Sequence, residues 1–513
     1  MSVSTTTTEW FAAPYLDEEG QRNYKPLDRD ILQLPVIVSL QGALELVNMS
    51  DEDARKGTYT QDNIPTIELD ENPNYEAMTH EQKLNSLSVE VRILNEGVLA
   101  LREATYYPTF FSAPIITGCS INNFYDYSII SIHYYILLRK HNNREGRVTR
   151  YRYFRDAPDR RRALNNFYKA IQLLIRGRDL SVIKNIETHE WKPEKVLVML
   201  NPRSGSGKSM KVYDQLVSKM LRQAAMEAKL VVTSYKNHAS EYALRERLDI
   251  YAAILLISGD GLYHEFLSGM MERPDRQEAG RVPVSIVPTG SNNTLAGSVL
   301  KSRGEHTKKK YAAANCMFAF IKGQRQACDV VQIRSSNLVF YSGLYYTWGN
   351  LATIYDNSRK LAVLGGLRLV PWILIKLIRN KGTYGRLWYR HASADPGSEL
   401  VELQNTCFSV FLICNVSNIT YKVTACDVQP GSGKAVLCYV KYPISRKKLW
   451  NLLSQVRRGE NPSASHEFET IPIQACVFEP RRRDAGVALC DGEELPTSKI
   501  EMGVLPKFAC LKF

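Results

Sequence analysis

Ser258-Gly259-Asp260-Gly261 closes the apolar run Ala252–Ile257 and leads into the helix-patterned stretch Leu262–Arg273. The pattern is a buried strand that stops at an acid between glycines and turns into a helix. Without a Cβ, the backbone at those glycines can come close to a ligand. An aspartate at the carboxyl end of a strand also stands where open α/β sheets bind their ligands. Alone, an Asp–Gly turn after a strand is ordinary structure. Its neighbours give it weight.

Upstream, Val196–Leu200 is a continuous apolar strand followed by Asn201-Pro-Arg-Ser-Gly-Ser-Gly-Lys208. Val212/Tyr213, Leu216/Val217, Met220/Leu221 and Ala224 then recur at helical spacing. Strand Leu230–Thr233, helix Ser240–Leu248, strand Ala252–Ile257, a helix and strand Val284–Val287 continue the alternation. This order predicts an α/β nucleotide-binding domain, a parallel sheet with helices on both faces. Three loops fall at the carboxyl ends of its strands: 201–208, 258–261 and Pro288-Thr-Gly-Ser-Asn-Asn-Thr294. The first suits phosphate held on backbone N–H groups. Gly205-Ser-Gly-Lys-Ser209 invites a P-loop reading, but Pro202 occupies the glycine position that a P-loop requires and offers no N–H. The third loop can donate to phosphate or ribose and cap the next helix.

The 513 residues allow two to four domains of about 100–200 residues each. A net charge of +13 points to an anionic partner, either nucleotide, nucleic acid or acidic membrane. The start of the chain lacks the pattern of a signal peptide, and no stretch reads as a spanning helix. Ten cysteines without a Cys-x-x-Cys pair suit a reducing compartment, not a disulfide framework or structural zinc. A cytoplasmic, peripherally membrane-associated protein is expected.

Residues 1–36 read as a disordered leader and 37–178 as a β-rich, pleckstrin-homology-like module closed by a helix over Arg162–Arg176. Arg139–Arg162 holds ten Arg or Lys and three acids, interleaved with Tyr151, Tyr153 and Phe154. It fits a surface for anionic headgroups, a nucleic-acid contact or an ordinary solvated charged face, and a membrane-surface module is the preferred reading. A linker is expected at 179–195, the α/β catalytic domain at 196–325 and an exposed basic loop at Ser302–Lys310. Residues 326–513 read as a largely antiparallel, β-rich lipid-binding domain. Within it, Leu361–Asn380 is an apolar stretch whose only charges, Arg368, Lys376 and Arg379, share one sector, with Pro371 expected to kink or divide it. It suits a lid over a lipid tail, an interfacial helix or a core helix with snorkelling ends.

Taken together, Asn201-Pro-Arg, Gly205-x-Gly-Lys208, Ser258-Gly-Asp-Gly-Leu-x-His-Glu265, Met271-Glu-Arg-Pro-Asp275 and Pro288-x-Gly-Ser-x-Asn293-x-Leu-Ala296 resemble the diacylglycerol-kinase catalytic superfamily. More closely, with Thr233–Ala239 and Asp491-Gly-Glu493, they resemble the sphingosine (long-chain-base) kinases. The resemblance implies an ATP-dependent lipid kinase that uses Mg²⁺ and phosphorylates the primary hydroxyl of a sphingoid base. Asp260 would be the general base. Asn201, Arg203, Gly205, Gly207, Lys208, Thr233, Gly259, Gly261, Gly290, Ser291, Arg368, Asp491, Gly492 and Glu493 would surround the nucleotide, with the last acids on the metal side. His238 and His264 read as local hydrogen-bonding residues outside any metal site. Partners would be the lipid, ATP and an anionic membrane surface, with no nucleic acid; oligomerisation is left open.

Three positions depart from the pattern. The family carries acids a few residues beyond Trp348-Gly349 for the lipid's amine. Here the register gives Thr353 and Tyr355, with Asp356 one position late. On an extended strand that shift would turn the side chain to the opposite face. Tyr345 replaces an expected serine and Ala362 a second arginine. Asp356, Tyr355 and Tyr345 are therefore the substrate-side candidates. A ceramide or diacylglycerol kinase, or a catalytically degenerate membrane scaffold, remains as an alternative.

Overall fold

The computed structural model describes residues 157–513 apart from 206, 306–308, 360–369, 380, 405–406, 459 and 482–485. Before residue 157 it describes 15–16, 22–23, 35–40, 43–47, 89–95, 97–102, 109–123, 127–138 and 143–154. Most of the expected leader, and the 361–369 part of the lid with Arg368, lie outside the described residues. The chain forms two compact units, Met1–Glu194 with Ser218–Glu227, and Lys195–Val217 with Ala228–Phe513.

The first unit contains two four-stranded antiparallel sheets. One runs Val38–Leu40, Val89–Ile93, Gly97–Arg102, Thr109–Ser112; the other runs Ala43–Val47, Asn143–Phe154, Ser128–Leu138, Ile116–Asn123. The helix Ala157–Ile175 packs on strands of both. It starts earlier than the apolar spacing predicts because Pro158 is accommodated in its first turn. The basic, aromatic stretch is not a continuous outer patch. Tyr151 and Tyr153, on one face of a strand, are 2% and 0% exposed, and Arg150 is buried beside them. The stretch 179–195 is docked, since Lys169 donates to the Glu187 and His189 carbonyls and Trp191 packs edge-on against Tyr168.

In the second unit, Glu194–Leu200, Ala253–Ser258 and Val284–Pro288 pair in parallel. Val196–Leu200 and Ala253–Ile257 are almost wholly buried. A strand covered on both faces by helices reads as an unbroken apolar run, which is why these were visible in the sequence. The long strand Ile500–Lys512 pairs parallel to Val284–Pro288 and antiparallel to Arg325–Ser335 and Glu469–Pro480. It carries one sheet from the parallel half into the antiparallel half, fifteen strands among the described residues. Trp348, Phe411 and Phe478 interlock in the antiparallel half.

Two local expectations are corrected. Beyond Trp348 the chain is helical over Asn350–Arg359, not extended. Gly349, at φ +77, ends the strand, and its carbonyl accepts from both the N–H and the hydroxyl of Thr353. Val370–Arg379 is helical with Pro371 near its described start, and the part of the 361–380 segment before Val370, where a kink or division at Pro371 would show, lies outside the described residues. The Ser302–Lys310 loop is not simply exposed, since Glu305 is buried and accepts from Arg303 and Asn315.

Candidate active site

The three loops at the carboxyl ends of the parallel strands meet around a cleft of about 500 Å³. Their approach depends on missing side chains. A Cβ at Gly205, itself at φ +58, would run into the Thr289 carbonyl, and one at Gly290 into the Gly259 backbone. Hydroxyls tie the loops together: Gly259 N–H donates to Ser204 Oγ at 3.0 Å, and Ser209 and Thr289 share a hydrogen bond of 2.8 Å.

Asp260 is the first residue of the helix Asp260–Met271. Its Oδ2 accepts from Thr294 N–H at 2.9 Å and Asn292 Nδ2 at 3.4 Å, and its Oδ1 from Leu295 N–H at 3.2 Å. The carboxylate thus lies on the amino end of the helix Thr294–Ser302, where unpaired N–H groups and the helix dipole favour negative charge. Burial pushes its pKa up, and the hydrogen bonds from Thr294 and Leu295 pull it back. The net direction is upward, which leaves a carboxylate more basic than an ordinary aspartate. Asn293 turns the loop at φ +54 and donates to the Gly290 carbonyl at 2.7 Å.

Asp491 has a different part. Its side chain is fully buried at a φ of +51. Oδ1 accepts from Ser342 Oγ at 2.6 Å and from the Leu344 and Tyr345 N–H groups at 3.0 Å each, and Oδ2 from Gly343 N–H at 2.9 Å. His264 Nδ1 lies 3.3 Å from the same Oδ2. Burial lowers the His264 pKa, but its bond to Asp491 and the charges of Asp491, Glu493 and Glu265 raise it more. His264 does sit among a cysteine and an acid, with Cys490 and Asp491, contrary to the sequence reading. The oxygens of Asp491 are nevertheless committed to protein donors, so it acts as a clamp on 342–345. His238 remains local, accepting from Ser234 N–H and stacking on Tyr235.

Of the residues singled out from sequence, Asn201, Arg203, Gly205, Thr233, Gly259, Asp260, Gly261, Gly290, Ser291, Tyr355, Asp491, Gly492 and Glu493 line the cleft. Gly207 and Lys208 are not on its lining; Lys208 precedes the helix that starts at Ser209. Tyr345 is buried behind the lining, hydrogen-bonded to Tyr355 and near Asp260, with its pKa held well above the ordinary tyrosine value by burial. Asp356 is absent from the lining, because one residue along a helix is a turn of about 100° away from Tyr355. Arg368 lies outside the described residues. Sequence reasoning missed Ser204, Lys236, Glu265 and Asn292, which also line the cleft. All four stood inside quoted motifs, and polar character next to a phosphate loop was the available signal.

Residues 195–333 match the diacylglycerol kinase catalytic domain. This match supports a catalytic domain of the diacylglycerol-kinase superfamily over that stretch of the chain. It is 28% identical over 346 residues to sphingosine kinase 1 of Mus musculus, spanning 62% of this chain and 90% of that relative. It is 31% identical over 209 residues to sphingosine kinase 2 of Homo sapiens, 40% and 32% of the respective chains. A putative diacylglycerol kinase from Bacillus anthracis str. Sterne superposes with a TM-score of 0.47 at 15% identity, covering 64% of this chain and 97% of that one. The kinase domain is that of an ATP-dependent lipid kinase. No helix among the described residues is long and apolar enough to cross a membrane.

Proposed function

We propose that this kinase transfers the γ-phosphoryl group of ATP to the primary hydroxyl of a sphingoid base. The observation that carries the chemistry is Asp260, a buried but ionisable carboxylate held by the 292–295 backbone at the meeting point of three glycine loops. In the transfer, the lipid O–H bond breaks as its oxygen attacks phosphorus, and Asp260 takes the proton. The new O–P bond forms as the bond to the bridging oxygen breaks, and ADP leaves. Such a step needs alignment and charge neutralisation more than covalent help. Arg203, Lys236 and the N–H groups of the loops supply both. Close backbone approach at Gly205, Gly259 and Gly290 makes the cleft fit phosphate groups. Magnesium carried on those phosphates would offset their charge, and Glu265 and Glu493 on the cleft lining are the acids that would face it.

The long alignment with sphingosine kinase 1 supports the sphingoid base. A neutral lipid alcohol is the second reading, favoured by the absence of any carboxylate from Asn350–Arg359 on the cleft lining, where Tyr355 stands. Transfer of labelled phosphate to sphingosine, ceramide and diacylglycerol tests both. Product from sphingosine, lost in Asp260→Asn, is expected. Product only from ceramide or diacylglycerol would establish the second reading. No product from any lipid, by folded protein that binds ATP, would leave a scaffold.

Delivery of the lipid fits the surface of the same unit. The helix Val370–Arg379 exposes Leu374, Ile375 and Ile378, and the adjoining helix Arg446–Arg458 exposes Trp450. Arg379 and Arg446–Lys448 supply basic groups around them. Apolar side chains ringed by cations suit an anionic lipid surface.

A further inference from the structure

Three cysteines unused by the transfer chemistry converge in the core of the antiparallel half. Cys414 ends the strand Cys407–Cys414, Cys438 lies in its partner Ala435–Lys441, and Cys426 is on the connection between them. Leu412 is opposite Cys438 and Cys414 opposite Val436, so Cys414 and Cys438 are diagonal neighbours on one face. The three sulfurs lie within 4.8 Å of one another, and each residue is at most 2% exposed. Metal–thiolate bonds of about 2.3 Å place the sulfurs of a trigonal centre about 4 Å apart, a spacing that the trio needs little movement to reach.

We propose that Cys414, Cys426 and Cys438 form a buried three-thiolate site for a soft monovalent ion, Cu(I), that fastens the 415–434 connection to the sheet. Thiolates select Cu(I) and zinc among biological ions. Structural zinc almost always takes four protein ligands. Among the described residues, the trio holds three sulfurs with no histidine or carboxylate in the group. Each Cu–S bond replaces one S–H bond and releases one proton. The ion keeps its oxidation state and arrives by ligand exchange from another thiol or chelator complex. A disulfide would need an oxidant and would leave one sulfur out.

The connection fastened in this way reaches the catalytic loop. Asn418 N–H donates to Ser298 Oγ, and Tyr421 N–H donates to the Asn292 carbonyl at 2.8 Å. The Ile419 carbonyl accepts from Asn292 Nδ2 and Thr294 Oγ1 at 3.1 Å each. Asn292 and Thr294 are the residues that hold Asp260. Occupancy at the thiols therefore rigidifies the support of the carboxylate from beneath.

Anaerobic titration of the reduced full chain with Cu(I), against a competing Cu(I) chelator, tests the site. One equivalent is expected, with affinity falling at least tenfold in Cys426→Ser or Cys438→Ala and unchanged in Cys510→Ser. X-ray absorption on the wild type, which needs no variant, should count three sulfur neighbours. Hydrogen exchange should slow in 417–426 and 292–298 on loading. The proposal fails if folded wild type does not compete for Cu(I), or if a folded Cys426→Ser protein binds it equally. It also fails if the copper has nitrogen or oxygen neighbours, or if Zn²⁺ binds more tightly than Cu(I).

Discussion

The N–H of Thr294 donates to Oδ2 of Asp260 across 34 residues of sequence, at 2.9 Å. That bond joins the second loop to the helix after the third, and it aims a carboxylate by main chain alone. Replacing Asp260 with asparagine keeps an oxygen for one N–H but removes the basic group. Phosphate transfer is expected to fall by about 10²–10⁴-fold, the range for loss of a positioned acid–base group, while ATP binding persists. Single-turnover transfer beside equilibrium nucleotide binding checks this; parallel loss of both would point to collapse of the loop instead.

The raised pKa of Asp260 gives the acid side of the pH profile. A general base works only when deprotonated, so activity is lost as pH falls through its pKa. Burial places that point above the ordinary aspartate value of about 3.9. The acid limb of kcat/KM should therefore lie above the usual aspartate range. An acid limb that stays in the range of a solvated aspartate would contradict the assignment.

His264 acts in the opposite sense and on stability. Its folded pKa is raised, net of burial, by Asp491 and the nearby glutamates. Its contribution to stability is full below the unfolded value of about 6.5 and is lost as pH rises through the folded value. Urea midpoints of wild type should decline across that window, and those of His264→Gln should not. Matching curves would show that the His264–Asp491 contact contributes nothing measurable.

The parallel half of the sheet was legible because strands buried on both faces are unbroken apolar runs, as in Ala253–Ile257. The loops were legible because close approach at Gly205 and Gly290 demands glycine. The helix after Gly349 was not legible, since Thr353, Ile354 and Tyr355 favour strands locally and only the turn at Gly349 overrides them. The inward course of Tyr151 and Tyr153 was hidden by the arginines beside them in sequence. Asp491 looked like a metal-side acid because sequence cannot show how many N–H groups a carboxylate already serves.

Those N–H groups set the cost of Asp491→Ala. Ser342 Oγ and the amides of Gly343, Leu344 and Tyr345 would lose their acceptor in a buried place. An unsatisfied buried donor costs about 1–3 kcal/mol, so at least about 3 kcal/mol of destabilisation is expected. Asp491→Asn retains one acceptor oxygen and should lose less. Chemical unfolding of the two variants tests the order; equal losses would mean that water or a rearranged loop satisfies the donors.

The exposed side chains of two neighbouring helices give the last prediction. Ile378 is 70% and Trp450 47% exposed, and Arg446 donates to the Ile378 carbonyl at 2.9 Å, which holds the two helices together. Replacing Ile378 with glutamate removes an apolar group and places a negative charge among the cations of the face proposed to meet an anionic surface. Little folding energy is lost, because the side chain is mostly solvated. Binding to vesicles rich in phosphatidylserine should weaken at least tenfold, and Trp450→Glu should act in the same direction. Transfer to lipid in vesicles should fall, while transfer to a detergent-dispersed lipid should not. A fall in both assays would place Ile378 in the substrate path, and unchanged vesicle binding would remove this face from membrane contact.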